Sequence, residues 1–203
     1  MNVPPRSLVA AWSIAAILTT PVAANPLEDG YAAYRAMDFG TAAETWRPLA
    51  EKGDPTAQYL LGNLYADGKG VARDDAAAFK WFRLAADQGN AAAQYNVAAS
   101  YAAGVGVARN DVEAAGWFRR AADQGMPVAQ LNLGLMHAAG NGVAKDNVEA
   151  LKWFEVAFRG LPAGGPRMDV ARAMTDVSAN MTEDEIIEAR RRARDWKPKP
   201  EAK

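Results

Sequence analysis

The sequence predicts an all-α chain, a solenoid of helix-turn-helix units with about nine or ten helices in total. Three observations carry that expectation. Lys80-Trp81-Phe82-Arg83-Leu84-Ala85-Ala86-Asp87-Gln88-Gly89 returns 36 residues later as Gly116-Trp117-Phe118-Arg119-Arg120-Ala121-Ala122-Asp123-Gln124-Gly125. A third copy, Lys152-Trp153-Phe154-Glu155-Val156-Ala157-Phe158, follows at the same step. Glutamines (Gln58, Gln94, Gln130) and paired glycines (Gly68/Gly70, Gly104/Gly106, Gly140/Gly142) keep that step. A fixed period of this size marks units that bury their apolar faces only against their neighbours.

At the N-terminus, Arg6 precedes an apolar run from Leu8 to Leu18, then Thr19-Thr20-Pro21 and the small-residue site Val22-Ala23-Ala24. The pattern predicts a secretory signal over residues 1–24, cleaved after Ala24, and therefore a periplasmic or secreted protein. A membrane anchor is the alternative, but the run is shorter than the roughly 17–25 residues a spanning helix needs. Leu27 to Ala36, with Tyr31 and Tyr34, reads as a first helix. Asp38 then stands where it can cap a second, whose Ala42, Thr45, Trp46, Leu49 and Ala50 sit 36 residues before the stripe of the next unit. Trp46 thus aligns with Phe82, and Thr45 replaces the tryptophan.

Each full unit reads as two helices. Thr56 to Asp67 carries Ala57, Leu60, Leu61, Leu64 and Tyr65, at i, i+3, i+4, i+7 and i+8, on one helical stripe. The next copies keep Ala93, Val97, Tyr101 and Ala129, Leu133, Met136. Gly62, Ala98 and Gly134 share one position, where a small residue admits a neighbouring helix. Gly68, Gly104 and Gly140 are placed to end these helices, because glycine adopts the left-handed conformation that other residues resist. Asp74, Asn110 and Asp146 suit the cap of the second helix, and Glu113 and Glu149 three residues on suggest capping boxes. That helix places Ala78, Trp81, Phe82, Ala85 and Ala86 inward, with equivalents around Trp117 and Trp153. The three tryptophans and three helix-ending glycines are structural residues on this reading.

The period breaks at Leu161-Pro162-Ala163-Gly164-Gly165-Pro166, so the array is expected over 25–160 and capping helices over 161–196. Arg167 to Ser178 can turn Val170, Met174 and Val177 inward. Thr182 and Glu185 then form a capping box for a last helix with acids in its first turn and Arg190, Arg191, Arg192 and Arg194 toward its end, as the helix dipole prefers. Residues 197–203 read as a disordered tail.

The copies G-x-G-V, D/N, A-x-x-W-F-x-x-A-A-D-Q-G and A-Q-x-x-x-G resemble the Sel-one-like repeat (SLR) family, a cousin of the tetratricopeptide repeat. The resemblance covers Asp38 to Phe158 and weakens outward. It implies a right-handed superhelix of helix pairs with a concave face, and a role as scaffold or adaptor in signalling, envelope regulation or host contact.

Composition bounds the chemistry. Of 203 residues, 23 are basic and 24 acidic, so no basic face recommends nucleic acid as a partner. There is no cysteine for thiolate catalysis or metal ligation, and His137, the one histidine, occupies the position of Tyr65 and Tyr101. Ser100 and Ser178 lack a lysine three residues on, and no G-x-S-x-G occurs. A hydrolase is the disfavoured reading; neither metal nor cofactor is expected. The leading reading is a monomeric, non-catalytic scaffold for a protein or peptide, with no integral membrane segment after signal cleavage. A peptidoglycan-associated envelope maintenance factor is the alternative. On the first helices, Tyr59, Asn63, Tyr95, Ala99, Leu131 and Leu135 lie off the core stripe and would line the concave face, with Gln58, Gln94 and Gln130 as hydrogen-bonding rungs beside them. Packing of Tyr59 and Tyr95 between adjacent units is the competing account.

Overall fold

The computed structural model describes residues 25–199. The expected signal lies outside the described residues. Ten α-helices, and no strand, occupy the described residues: α1 Pro26–Arg35, α2 Phe39–Glu51, α3 Pro55–Asp67, α4 Asp75–Asp87, α5 Ala91–Ala103, α6 Asp111–Asp123, α7 Pro127–Ala139, α8 Asn147–Gly160, α9 Gly165–Ser178 and α10 Glu183–Asp195. From α1 to α9 each helix packs on the next, so the units α3–α4, α5–α6 and α7–α8 stack in chain order.

The stripes form the core. Ala57, Leu61 and Leu64 are sealed from solvent, as are Ala93 with Val97 and Ala129 with Leu133. Leu60 departs from the expected stripe: it is only half-buried, in the position that Asn96 and Asn132 hold in the next copies. The small residues are dictated by the phenylalanines opposite. A Cβ on Gly62 would lie 2.7 Å from the Phe82 ring, and one on Gly134 would lie 2.5 Å from Phe154. The N-terminal pair keeps the idea with other residues, for Gly30 admits Trp46, whose indole N–H donates to the Leu27 carbonyl at 3.2 Å.

Trp153 and Trp117 are buried. Trp117 lies between the guanidinium groups of Arg83 and Arg120, 4.6 and 4.2 Å from its ring centroid. Trp81, expected to be buried like them, is half-buried. Its two flanking cations are missing: Arg47, the counterpart of Arg83, bonds the Tyr65 hydroxyl at 3.0 Å, and Leu84 stands where Arg120 does.

The side-chain caps form as expected. Asp74 accepts the Ala77 N–H at 2.9 Å, Asn110 those of Val112 and Glu113, and Asp146 that of Glu149. The Glu149 carboxylate closes no capping box; it bonds Lys152 at 3.1 Å and Arg192 at 2.9 Å. Burial opposes its ionisation, yet those two cations hold it below the usual carboxylate range. The box predicted for α10 is present, with Thr182 N–H donating to Glu185 at 2.8 Å and Glu185 N–H to the Thr182 hydroxyl at 3.3 Å.

Gln58, Gln94 and Gln130 are buried and face inward, not onto the open face. Each side-chain N–H donates to the last turn of the preceding helix, at Ala50, Ala86 and Ala122, over 3.0, 3.2 and 3.1 Å. Gln88 and Gln124 then donate to the oxygens of Gln58 and Gln94, both at 2.8 Å. A buried amide is costly unless its hydrogen bonds are made. These glutamines therefore fix the register of one helix against the last.

The C-terminus leaves the nearest-neighbour pattern. Helix α10 returns to α8, with no comparable packing on α9. The face of α8 that receives it differs from its counterparts: Val156 is buried where α4 carries exposed Leu84, and Glu155 replaces Arg83 and Arg119. Glu155 pairs with Arg190 at 3.3 Å, and Arg159 donates to the Ala193 carbonyl. Arg191 and Arg192 hold the exposed Glu188 carboxyl down to about 2. Such surface pairs add little stability each; the buried Ala189, Ala193 and Val156 anchor the helix. Residues 197–199 were expected in a disordered tail, but they continue along the fold. Trp196 meets Trp153 edge-on at 6.0 Å, and the Lys199 N–H donates to the Asp123 carbonyl at 2.7 Å.

Candidate functional site

Helices α3, α5 and α7 each turn one face toward their second helix and leave another open. Tyr59, Tyr95 and Leu131 recur on that open face, all half-buried. The Tyr59 ring lies 6.1 Å from Phe82 and the Tyr95 ring 5.6 Å from Phe118, so each tyrosine leans on the second helix of its own unit. Leu131 packs against the cluster containing Phe154 and Val170. One turn on, Asn63 accepts the Asn96 amide at 3.4 Å across the unit boundary, Ala99 packs on the core and Leu135 is 46% exposed.

The six residues read from sequence thus fall on neighbouring positions of one surface. The packing account holds in part, because the aromatic rings lean on phenylalanines while each residue keeps an exposed edge. Leu60, Asn96 and Asn132 were missed on that surface. Their signal was legible: a position that is Leu in one copy and Asn in the next two does not behave as core. Asn132 bonds the Val128 carbonyl at 2.8 Å. At its three repeating positions the face reads Tyr-Leu-Asn, Tyr-Asn-Ala and Leu-Asn-Leu, with one asparagine in each unit.

His137 does the work of the tyrosines it replaces. It is buried, and Arg119 approaches its Nε2 at 3.0 Å, as Arg47 approaches the Tyr65 hydroxyl. Burial, and then the Arg119 charge, lower its pKa below the ordinary histidine value, against weaker opposition from Glu149 and Asp146. Neutral His137 therefore favours the folded state above about pH 6.5, and this contribution is lost as acidification forces a proton on. Thermal melts between about pH 7 and pH 5 should show wild type losing stability more steeply than His137→Tyr. Parallel slopes would remove His137 from that dependence. Among the described residues no three or more His, Cys, Asp or Glu side chains gather as a metal site would require, and no helix is long and apolar enough to cross a membrane.

Comparison with known proteins agrees with this arrangement. The Sel1 repeat family model matches residues 55–90, 91–126 and 127–160, which are the three helix pairs described above. A Sel1 repeat protein from Oxalobacter formigenes superposes with a TM-score of 0.68 at 31% identity, over 79% of this chain and 63% of that one. A protective antigen of uropathogenic Escherichia coli strains, displaying an SLR fold, gives 0.56 at 25% identity over 84% and 44%. Exopolysaccharide production negative regulators of Rhizobium leguminosarum bv. viciae and Rhizobium meliloti (strain 1021) share 45% and 43% identity over 51 residues. That stretch is 25% of this chain and 19% of each regulator, so the likeness spans about a fifth of their length. With three matched units over more than half its length, each a stacked helix pair with the small residue, aromatic and glycine in register, the chain belongs to the Sel1 repeat family.

Proposed function

We propose that this protein is a non-catalytic scaffold that works outside the cytoplasm and docks an envelope signalling or assembly protein on the open face of α3, α5 and α7. The observation that carries the reading is the row Tyr59–Tyr95–Leu131 beside Asn63–Ala99–Leu135. Half-apolar positions repeat there with exposed edges and amides, which suits an extended peptide or an amphipathic helix. Limited similarity to regulators of exopolysaccharide production favours a regulatory role. The expected signal over residues 1–24 supports the compartment.

Photo-crosslinkers placed at Tyr95 and Leu135 in cells should capture one protein that a crosslinker at Val112, exposed on α6, does not. The double variant Tyr59→Ala, Tyr95→Ala should weaken that capture about tenfold or more, as loss of aromatic anchors does at interfaces. Equal capture from Val112 would overturn the assignment of the face. Co-sedimentation with purified sacculi, in place of protein capture, would point to the glycan-associated role.

A further inference from the structure

The inter-unit glutamine pattern is complete twice and broken once. In the second unit the Gln124 side-chain amide donates to two acceptors, the Gln94 oxygen at 2.8 Å and the Gly89 carbonyl at 3.0 Å. Thirty-six residues on, those acceptors become Gln130 Oε1 and the Gly125 carbonyl, but the donor's place is taken by Gly160. Among the described residues no donor reaches either oxygen. Gln130 is only 2% exposed, held by its N–H to the Ala122 carbonyl at 3.1 Å.

The missing side chain leaves a cavity of about 280 Å³ bounded by Gly125, Gln130, Val156, Arg159, Gly160, Trp196 and Pro198. Both oxygens face this space with no donor from the described residues, so a ligand that donates to them together adds two hydrogen bonds the fold does not make. We propose that this cavity is a binding pocket for a primary carboxamide, whose single NH2 group satisfies Gln130 Oε1 and the Gly125 carbonyl together. The chain's own Gln124 shows that such a group fits between two acceptors so related. An ammonium group would offer donors too, but the Arg159 guanidinium on the wall opposes a second cation. Trp196 supplies an apolar side wall for the carbon stem attached to the amide.

The amide can come from a glutamine or asparagine side chain of a partner peptide, or from a free small molecule. Two probes separate the sources: a blocked Ala-Gln-Ala peptide and free L-glutamine. Each is titrated into the 15N-labelled full chain while the amide signals of Gly125, Gly160 and the Gln130 side chain are followed. Saturable shifts at these three positions are expected, with tighter binding of the peptide indicating a protein ligand and tighter binding of glutamine a metabolite. Gly160→Gln should restore the internal rung and abolish the shifts. Because its added side chain must displace Pro127, 2.8 Å from the Cβ position, the Gln130→Leu variant is measured beside it and should also lose binding. Absence of saturation with both probes, or equal response to the N,N-dimethylated glutamine peptide, would overturn the assignment.

Discussion

Trp117→Ala should lower the unfolding free energy by about 3–5 kcal/mol, the range for truncating a buried aromatic. Truncation leaves a cavity in the middle of the largest core cluster and strips the surface on which Arg83 and Arg120 stack. The comparison that sharpens the expectation is Trp81→Ala. Trp81 is already partly exposed, so its removal should cost less, about 1–3 kcal/mol by the area it buries. Urea unfolding of both variants tests the ordering. Equal midpoints would mean that the arginine-flanked indole contributes nothing beyond its half-buried counterpart.

Gly142→Ala should be nearly as damaging through a different mechanism, costing about 2–5 kcal/mol from left-handed strain and overpacking combined. Gly142 sits at φ 67°, and a Cβ there would run into the Asp111 carbonyl in the first turn of α6. Neither partner can step aside, because both are backbone and Asn110 caps that turn. Gly140→Ala is the control. Its φ of 77° carries the conformational penalty, but the nearest atom, Cβ of Lys145, is 3.2 Å away. About 1–2 kcal/mol is expected there. A thermal scan in which the two variants melt together would show that close approach of the loop is not what demands the second glycine.

The array was legible because its causes are local and repeated. Helical spacing placed Leu61 and Leu64, a shared small residue announced the approach of Phe82, and glycines marked the left-handed stops. What escaped the sequence reading depends on which neighbour a side chain meets. Gln58, Gln94 and Gln130 are polar, so they were assigned to the open face. Their carbonyl and glutamine partners make burial favourable, and nothing in their spacing announces those partners. Leu60 fits the helical stripe by spacing, and only Asn96 and Asn132 at the same position mark it as a surface site. The docking of α10 lies furthest from periodicity, yet Val156 and Glu155 were its trace: one apolar residue and one reversed charge on a face that is otherwise basic or exposed. The six open-face residues were placed on neighbouring positions because the period that sets the core also sets what lies beside it.

The return of α10 to α8, continued by Lys199 onto Asp123, gives the stack a direction. In a nearest-neighbour array each helix is held only by the helices beside it. At the N-terminal end α1, ten residues long, follows that rule and packs mainly on α2. At the other end residues 196–199 run back across two units, so α8 cannot part from α6 without releasing the segment that spans both. The C-terminal units are thereby coupled beyond their immediate neighbours. A partner gripping α7 therefore grips helices that are tied together and not merely stacked.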